Sequence, residues 1–393
     1  MTPAQLSRTV VHVVRSAVQA GELSVPADDL ASLDAEAGGA DGGARRGIVR
    51  VPPRPGCGDF ASHVALRLAA ASGQAPREVA EVLRRRLVEQ PGIERVEVAG
   101  PGFVNITVAA GAHAGLVREV LAQGAAYGRG DGLVGTRLRL RYQDGPRAAL
   151  FAEVVARLVT ACGGEVDPLA GGGGAAPLAA TSTSTSAPTG DAEAATETVV
   201  LSVREPGRTL GELVESLGRD GARWALLSAA AHDVPRCDPA EVLAQRESNP
   251  LFRVRYAHAR VRALLRNGRD LGVEPDPNGP FDPDGPADAN ANAAPRAVDD
   301  SAARAHGALL ALLADYPRVV EAAARRHAPD RLARELTAVA DAFFRFHDGC
   351  APLPRGEEKP SAAHRARLAT AEAAGTVLAN GLNLLGISAP AHL

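Results

Sequence analysis

Lysine is nearly absent from this chain of 393 residues: Lys359 stands alone, and the remaining basic residues are arginines. Abundant alanine, glycine and arginine point to a GC-rich coding bias rather than to a function. A strong charge of either sign is also missing. The formal net charge is −3, so no global field draws the protein to nucleic acid, and any such site must be a local patch. Cys57, Cys162, Cys237 and Cys350 lie far apart with no C-x-x-C pair. That spacing argues against a zinc site or disulfide frame and fits reduced thiols. No apolar run reaches the roughly 18 residues of a membrane span, and no signal-peptide pattern opens the chain. These absences predict a soluble, cytoplasmic protein with no membrane contact, no metal and no cofactor. There is no P-loop and no Ser/His/Asp set. Scattered histidines such as His63, His113, His232 and His347 read as core or surface residues.

What the chain does contain is a cationic amphipathic segment. Residues 249–266 carry five arginines (Arg253, Arg255, Arg260, Arg262 and Arg266), and no acidic residue occurs between Ser248 and Arg269. Leu251, Val254, Val261, Leu264 and Leu265 recur at helical spacing, while Arg255, Arg262 and Arg266 share another face. The pattern predicts a helix that docks one side on a core and shows a cationic side to an anionic polymer. A bundle helix with an ordinary solvated face explains the same charges.

The length allows two or three domains. Residues 3–21 predict an amphipathic helix, followed by a Gly/Ala/Asp-rich loop to about Arg46 and a short strand at 49–51. Asp59 is the expected N-cap of a helix over 60–71, and Pro76 opens the next one. Two strands, 95–99 and 103–108, flank Gly100-Pro101-Gly102, a hairpin signal. A strand at 137–142, a helix at 148–162 and a returning strand at 198–203 form a reduced β-α-β unit. The stretches 167–197 and 273–300 are too poor in apolar residues to order themselves. Helices are expected from residue 209 onward, among them 303–314, 317–327, 329–347 and 362–385, an all-α bundle. The fold class is α+β, in segments 1–127, 128–208 and 209–393.

Asn249-Pro250 followed by Tyr256-Ala257-His258-Ala259-Arg260 resembles the first long helix of the anticodon-binding domain of arginyl-tRNA synthetases. Residues 378–390, Leu-Ala-Asn-Gly-Leu-Asn-Leu-Leu-Gly-Ile-Ser-Ala-Pro, are similar to that family's last helix and tail. Asp220-Gly221-Ala222-Arg223 resembles, in altered form, the Asp-Ala-Leu-Arg segment that names the domain. Gly58-Asp59-Phe60, Pro76-Arg77-Glu78-Val79-Ala80 and residues 99–105 resemble the family's N-terminal domain. The resemblance implies an N-terminal α/β tRNA-binding domain, a reduced β-α-β remnant of a class I synthetase core and a C-terminal DALR bundle. The family's N-terminal domain contacts the outer corner of tRNA, which falls here on Phe103 and Asn105. Its bundle grips the anticodon arm, which implies roles for Tyr256 and His258 as stacking or hydrogen-bonding groups. Arg253, Arg255, Arg260, Arg262 and Arg266 then supply phosphate contacts. Phe103 reads equally as core and Asn105 as a turn residue.

The family's catalytic signatures are missing. A His-x-Gly-His turn would follow a strand such as 137–142, but Gln143-Asp-Gly-Pro-Arg147 stands there. A lysine-bearing loop would precede Thr209, but residues 202–208 read Ser-Val-Arg-Glu-Pro-Gly-Arg. Arg204 and Arg208 do not replace a flexible ammonium at a transferring phosphate. Fewer than seventy residues lie between Arg137 and Val203, whereas a nucleotide-binding α/β domain takes about 100–150. The leading expectation is a non-catalytic relative that binds tRNA, arginine tRNA first. The alternatives are a protein-interaction module docking on a synthetase or another enzyme, and a residual arginine–tRNA ligase or enzyme using charged tRNA.

Overall fold

The computed structural model describes residues 3–37, 48–50, 52, 58–167, 170–171, 196–279 and 301–393. Cys57 and most of the two low-complexity stretches lie outside the described residues. Apolar side chains gather into two cores. The first lies under an antiparallel sheet of order β1-β2-β4-β3, made of β1 (Val49–Arg50), β2 (Phe60–Ser62), β3 (Ile93–Ala99) and β4 (Phe103–Val108). Val104, Ile106 and Val108 alternate along β4, so one side of that strand meets the core. They share a cluster with Val10 of α1 (Pro3–Gln19), Leu68 of α3 (Val64–Ser72) and Leu83 of α4 (Pro76–Leu87). The β3–β4 hairpin closes as its glycines suggest. A side chain at Gly102 would meet the Pro76 carbonyl oxygen at 2.9 Å, so glycine is required where the turn touches α4.

Two expectations fail here. Helix α2 (Ala27–Ala37) stands in the expected loop, held by Leu33, which is fully buried in the same core. Asp59 does not cap a helix, because Phe60–Ser62 zip onto β4 with Phe60 opposite Ile106. Its carboxylate accepts the Val108 N–H at 2.9 Å instead.

Helix α5 (Ala110–Gln123) leads to the second core. There β5 (Arg137–Tyr142) is the centre of a parallel sheet, with β6 (Glu165–Val166) and β7 (Ala170–Gly171) on one side and β8 (Thr196–Leu201) on the other. The β-α-β unit is therefore present, and β7 and β8 take in the edges of the stretch expected to be unordered. Leu138 and Leu140 are buried with Phe151 and Val155 of α6 (Pro146–Ala161). The same apolar cluster runs on without a break into the C-terminal helices α7 (Leu210–Ser228), α8 (Pro239–Val242), α9 (Pro250–Asp270), α10 (Ser301–Arg325), α11 (Pro329–Gly349) and α12 (Ala362–Leu384). Gly218 breaks α7 at φ 69°. Helix α10 runs through Pro317, where two helices were expected. Buried Tyr316 and Val320 carry it past the missing N–H. Val273 is fully buried and Asp276 N–H donates to Arg365 O at 3.1 Å. Residues 273–279 are thus packed on α12, and the expected insert narrows to 280–300, outside the described residues. Among the described residues no helix is long and apolar enough to cross a membrane.

The two cores meet at a pair of histidines. His113 of α5 and His306 of α10 sit edge to face, 5.8 Å between ring centres. Asp59 lies 3.8 Å from His113. His306 also lies 3.4 Å from Thr370 Oγ1 and 5.7 Å from the Phe346 ring centre. Burial, then the charges of His113 and Arg367, hold the His306 pKa well below its usual value. The unfolded chain therefore binds the extra proton first, so stability is complete above the unfolded pKa of about 6.5 and is lost as pH falls below it. The thermal unfolding midpoint should drop between about pH 7.5 and about pH 5.5, and His306→Gln should remove part of the drop. A midpoint that stays level over that window contradicts this account.

Candidate nucleic-acid interface

Helix α9 starts where its sequence says it should. Asn249 caps it, its Oδ1 accepting the Leu251 N–H at 3.1 Å, with Pro250 in the first turn. Its Nδ2 donates to Val242 O and Ala244 O, both at 2.8 Å, and fixes the preceding loop to the helix start. Leu251, Val254, Ala257, Val261 and Leu264 are buried. Along the edge facing α11, three aromatic rings form a ladder. Phe252 and Tyr256 stack at 5.5 Å and 7°, and Tyr256 and Phe344 at 5.6 Å and 22°. Tyr256 is 42% exposed. The Arg253 guanidinium lies 4.9 Å from the Phe344 ring centre and pairs with Asp341, and with Glu247 at 3.5 Å. One turn on, Arg260 donates to His347 Nε2 at 3.4 Å and its side chain is exposed. A stack of rings edged by guanidinium groups suits unpaired bases and their phosphates.

The opposite edge is not the open cationic face that the spacing of Arg255, Arg262 and Arg266 predicts. The chain's own C-terminal tail lies there. Arg255 donates to Ser388 Oγ at 3.3 Å and stands 3.7 Å from Asp220. Arg266 reaches Ala391 O and His392 Nδ1, each at 3.4 Å. His258 is buried, and its Nδ1–H donates to Pro390 O at 2.8 Å. Burial keeps its pKa below the usual value, so the ring is spent on the tail rather than offered to a base. The cause is elementary: carbonyls of the chain end need donors, and this edge supplies them. Arg262 remains exposed.

In the N-terminal unit Phe103 and Asn105 lie two apart on β4. Phe103 is 43% exposed opposite Ala99, so it is not core. Asn105 is 8% exposed, mid-strand between Ala61 and Glu97, so it is not a turn residue either.

Sequence reasoning passed over the residues that close the parallel sheet. The turn after β5 and the loop after β8 meet at the N-terminus of α6. There the Glu205 carboxylate accepts the Arg147 and Ala148 N–H groups at 3.0 and 2.9 Å. It packs against Gly145, where any Cβ would collide with it. The Arg147 side chain is completely buried. Its N–H groups donate to the carbonyls of Leu226, Arg204, Asp233, Ala229 and Ala230 at 2.7–2.9 Å, with Ala231 O at 3.5 Å. The guanidinium also lies 5.1 Å from the Phe151 ring centre. Arg223 works similarly: it forks onto Glu153 at 3.0 and 3.2 Å and donates to Leu385 O at 3.0 Å. The nearest signal in sequence for these roles is that Arg147 and Arg223 fall among buried apolar neighbours in their helices. Among the described residues, no cluster of three or more His, Cys, Asp or Glu side chains is arranged to hold a metal.

Residues 29–108 match the family model described as the arginyl tRNA synthetase N terminal domain, and residues 254–393 match the DALR anticodon binding domain. An arginine–tRNA ligase of Frankia alni is 26% identical over 584 aligned positions, covering 100% of this chain and 100% of that protein. Among solved structures, the arginyl-tRNA synthetase of Thermus thermophilus aligns with TM-score 0.57 and 15% identity over 88% of this chain and 96% of the other. That of Plasmodium falciparum aligns with TM-score 0.60 and 8% identity, over 88% and 95%. At these identities the structural matches speak for the fold.

Replacing Arg147 by leucine strips several buried carbonyls of their donor. Denaturant titration should show a loss on the order of 3–5 kcal/mol. Arg139→Leu, at a solvent-screened pair with Asp167, should cost far less than the Arg147 change. Equal losses for the two variants contradict the assignment.

Proposed function

We propose that this chain, which is related to the arginyl-tRNA synthetases through both its N-terminal domain and its DALR bundle, binds tRNA and does not activate an amino acid. The observation that carries the proposal is the Glu205 carboxylate on the α6 N-terminus. Helix N-termini attract phosphates because their N–H groups lack partners. Here two of those groups are taken by an anion fixed in the chain, at the turn where the family's His-x-Gly-His stands, by the loop where its lysine motif stands. A nucleotide phosphate would meet negative charge instead of donors. The ligase alignment supports the same reading: 584 positions on a chain of 393 residues leave many of the ligase's positions without a counterpart here.

What persists is a pair of surfaces suited to RNA. The ladder of Phe252, Tyr256 and Phe344, edged by Arg253 and Arg260, is set to take unpaired bases of the anticodon arm, while Arg262 is exposed on the opposite edge of α9. Arg255 and Arg266 join it only where the tail moves aside. Phe103 on the N-terminal unit offers a second, smaller stacking surface. Arginine tRNA is the first candidate, and the protein works by holding it. Residues 1–127 and 209–393 form the two binding units, with 128–208 as the joint between them.

A second reading, docking on a protein such as a synthetase, is favoured by one specific feature. Parallel sheets are normally covered on both faces, yet Arg137, Arg139 and Arg141 are exposed on β5, with Val200 of β8 opposite Arg141 and 69% exposed.

A gel shift at about 50 mM salt, where phosphate contacts are strongest, should retard arginine tRNA. Tyr256→Ala should weaken binding by roughly 5–100-fold, the value of one stacked base. Arginine-dependent ATP–pyrophosphate exchange should be at background. Exchange above background ends the non-catalytic reading. No retardation, together with an enzyme partner recovered from RNase-treated extract, favours docking.

A further inference from the structure

The parallel sheet has one finished face and one open face. The helix packed on β5 is α6, on the side of buried Leu138 and Leu140. On the other side Arg137, Arg139 and Arg141 stand in line, two residues apart, and all three are exposed. The parallel register sets Thr196, Thr198 and Val200 of β8 beside them in the same order. Glu165 of β6 lies beside Arg137, and Ala170 of β7 beside Arg141. Thr198 is exposed, and so is Val200, at 69%.

This face already shows which chemistry it takes. Asp167 lies between the first two arginines, one carboxylate oxygen 2.9 Å from Arg137 Nε and the other 2.9 Å from Arg139 Nη2. Only 12% of its side chain is exposed. Glu165 adds a second carboxylate, 3.9 Å from Arg137. Both acids therefore serve the start of the row. Arg141, at its far end, makes no ion pair or hydrogen bond with any described residue. The surplus positive charge sits there, with exposed Val200 directly across from it.

The dimensions fit one helix. Strands about 4.8 Å apart give a face about 10 Å across, the diameter of an α-helix. The six residues of β5 run about 20 Å at roughly 3.3 Å each, a length that three to four helical turns span. Same-side neighbours on the strand stand about 7 Å apart, and helix side chains one turn apart stand about 6 Å apart. We propose that this face docks an amphipathic helix of a partner protein, acidic over the turn that meets Arg139 and Arg141 and apolar where it meets Val200. The proposal rests on the protein-docking reading and deepens it by naming the surface and the chemistry of its occupant. A second copy of this chain would set arginine rows against each other, and an RNA backbone offers Val200 no apolar partner.

Full-length protein with the photoreactive change Val200→p-benzoylphenylalanine is produced in its native host and irradiated, and the adduct is mapped by mass spectrometry. The adduct should fall on a helical segment of another protein that carries Asp or Glu one turn apart beside apolar residues. Adding Arg141→Glu should cut the adduct yield at least about 10-fold, because like charges would then face each other, and should leave the thermal unfolding midpoint in place. A synthetic peptide of the mapped segment should bind the parent protein in fluorescence anisotropy, and its Glu→Lys version should bind at least about 10-fold more weakly. No adduct, an adduct with RNA, with a second copy of this chain or with a segment lacking acidic residues, or a yield indifferent to Arg141→Glu overturns the proposal. An enzyme recovered from RNase-treated extract equally by the parent and by Arg141→Glu, with no adduct at position 200, overturns this face and leaves protein docking standing. No partner recovered by either removes both.

Discussion

The structure depends on one buried cation. Arg147 carries a guanidinium into the interior with no carboxylate on its fork, and main-chain carbonyls from two separate segments satisfy it. A buried charge is tolerated only when its donors are matched, and the cost of mismatch is several kcal/mol. The five N–H donors of arginine in a rigid fork therefore dictate where the 204–205 loop and the 226–233 turn must lie relative to β5. Glu205 is brought to the α6 N-terminus by the same constraint, since Arg204 O is one of the acceptors. Lysine, with three donors on one point, could not hold so many carbonyls. That gives a chain with one lysine a physical use for arginine in its interior.

This interaction ties the small parallel sheet to the helical bundle. Four short strands and one helix do not make a nucleotide-binding fold, and their apolar side is too small to stand alone. They survive by sharing a core with the bundle, from Leu138 and Phe151 through Val254 to Phe343. Asn380 of α12 adds a polar tie, donating to Gly124 O at 2.8 Å and Tyr127 O at 3.1 Å. Tyr127 in turn donates to Leu313 O at 2.8 Å. The end of α5 is thus joined to the bundle through hydrogen bonds to backbone, which fix position more strictly than apolar contact does.

Much of this was legible in sequence. The period of Leu251, Val254 and Val261 gave α9, the Gly100-Pro101-Gly102 hairpin gave β3 and β4, and the order strand–helix–strand gave the parallel sheet. Local rules failed where a side chain had two possible employers. Asp59 precedes a short apolar run exactly as an N-cap does, yet a strand ladder outbid the helix. Pro317 reads as a helix break, yet packing of Tyr316 and Val320 carried α10 through it. His258 and Arg255 sit on a helix in a pattern that suits RNA, and nothing nearby in sequence announces that a tail more than a hundred residues on will claim them.

The division of arginines follows from these contests. Those whose guanidinium groups meet orphan carbonyls or carboxylates, such as Arg147, Arg223 and Arg255, became structural. Carbonyls left at chain ends and turns must find donors, and in a chain with a single lysine the arginines are the long-armed donors available. Cations can serve a polyanion only where no internal acceptor competes. Among the described residues such places include exposed Arg262 on α9, Arg236 and Arg246 in the loops that flank α8, and the open sheet face at Arg141. With a net charge of −3, such local surpluses are offset elsewhere on the surface, so their field reaches only about the 8–10 Å over which salt leaves it unscreened. Which arginines are left to meet a partner is accordingly decided by the internal hydrogen bonds that claim the others.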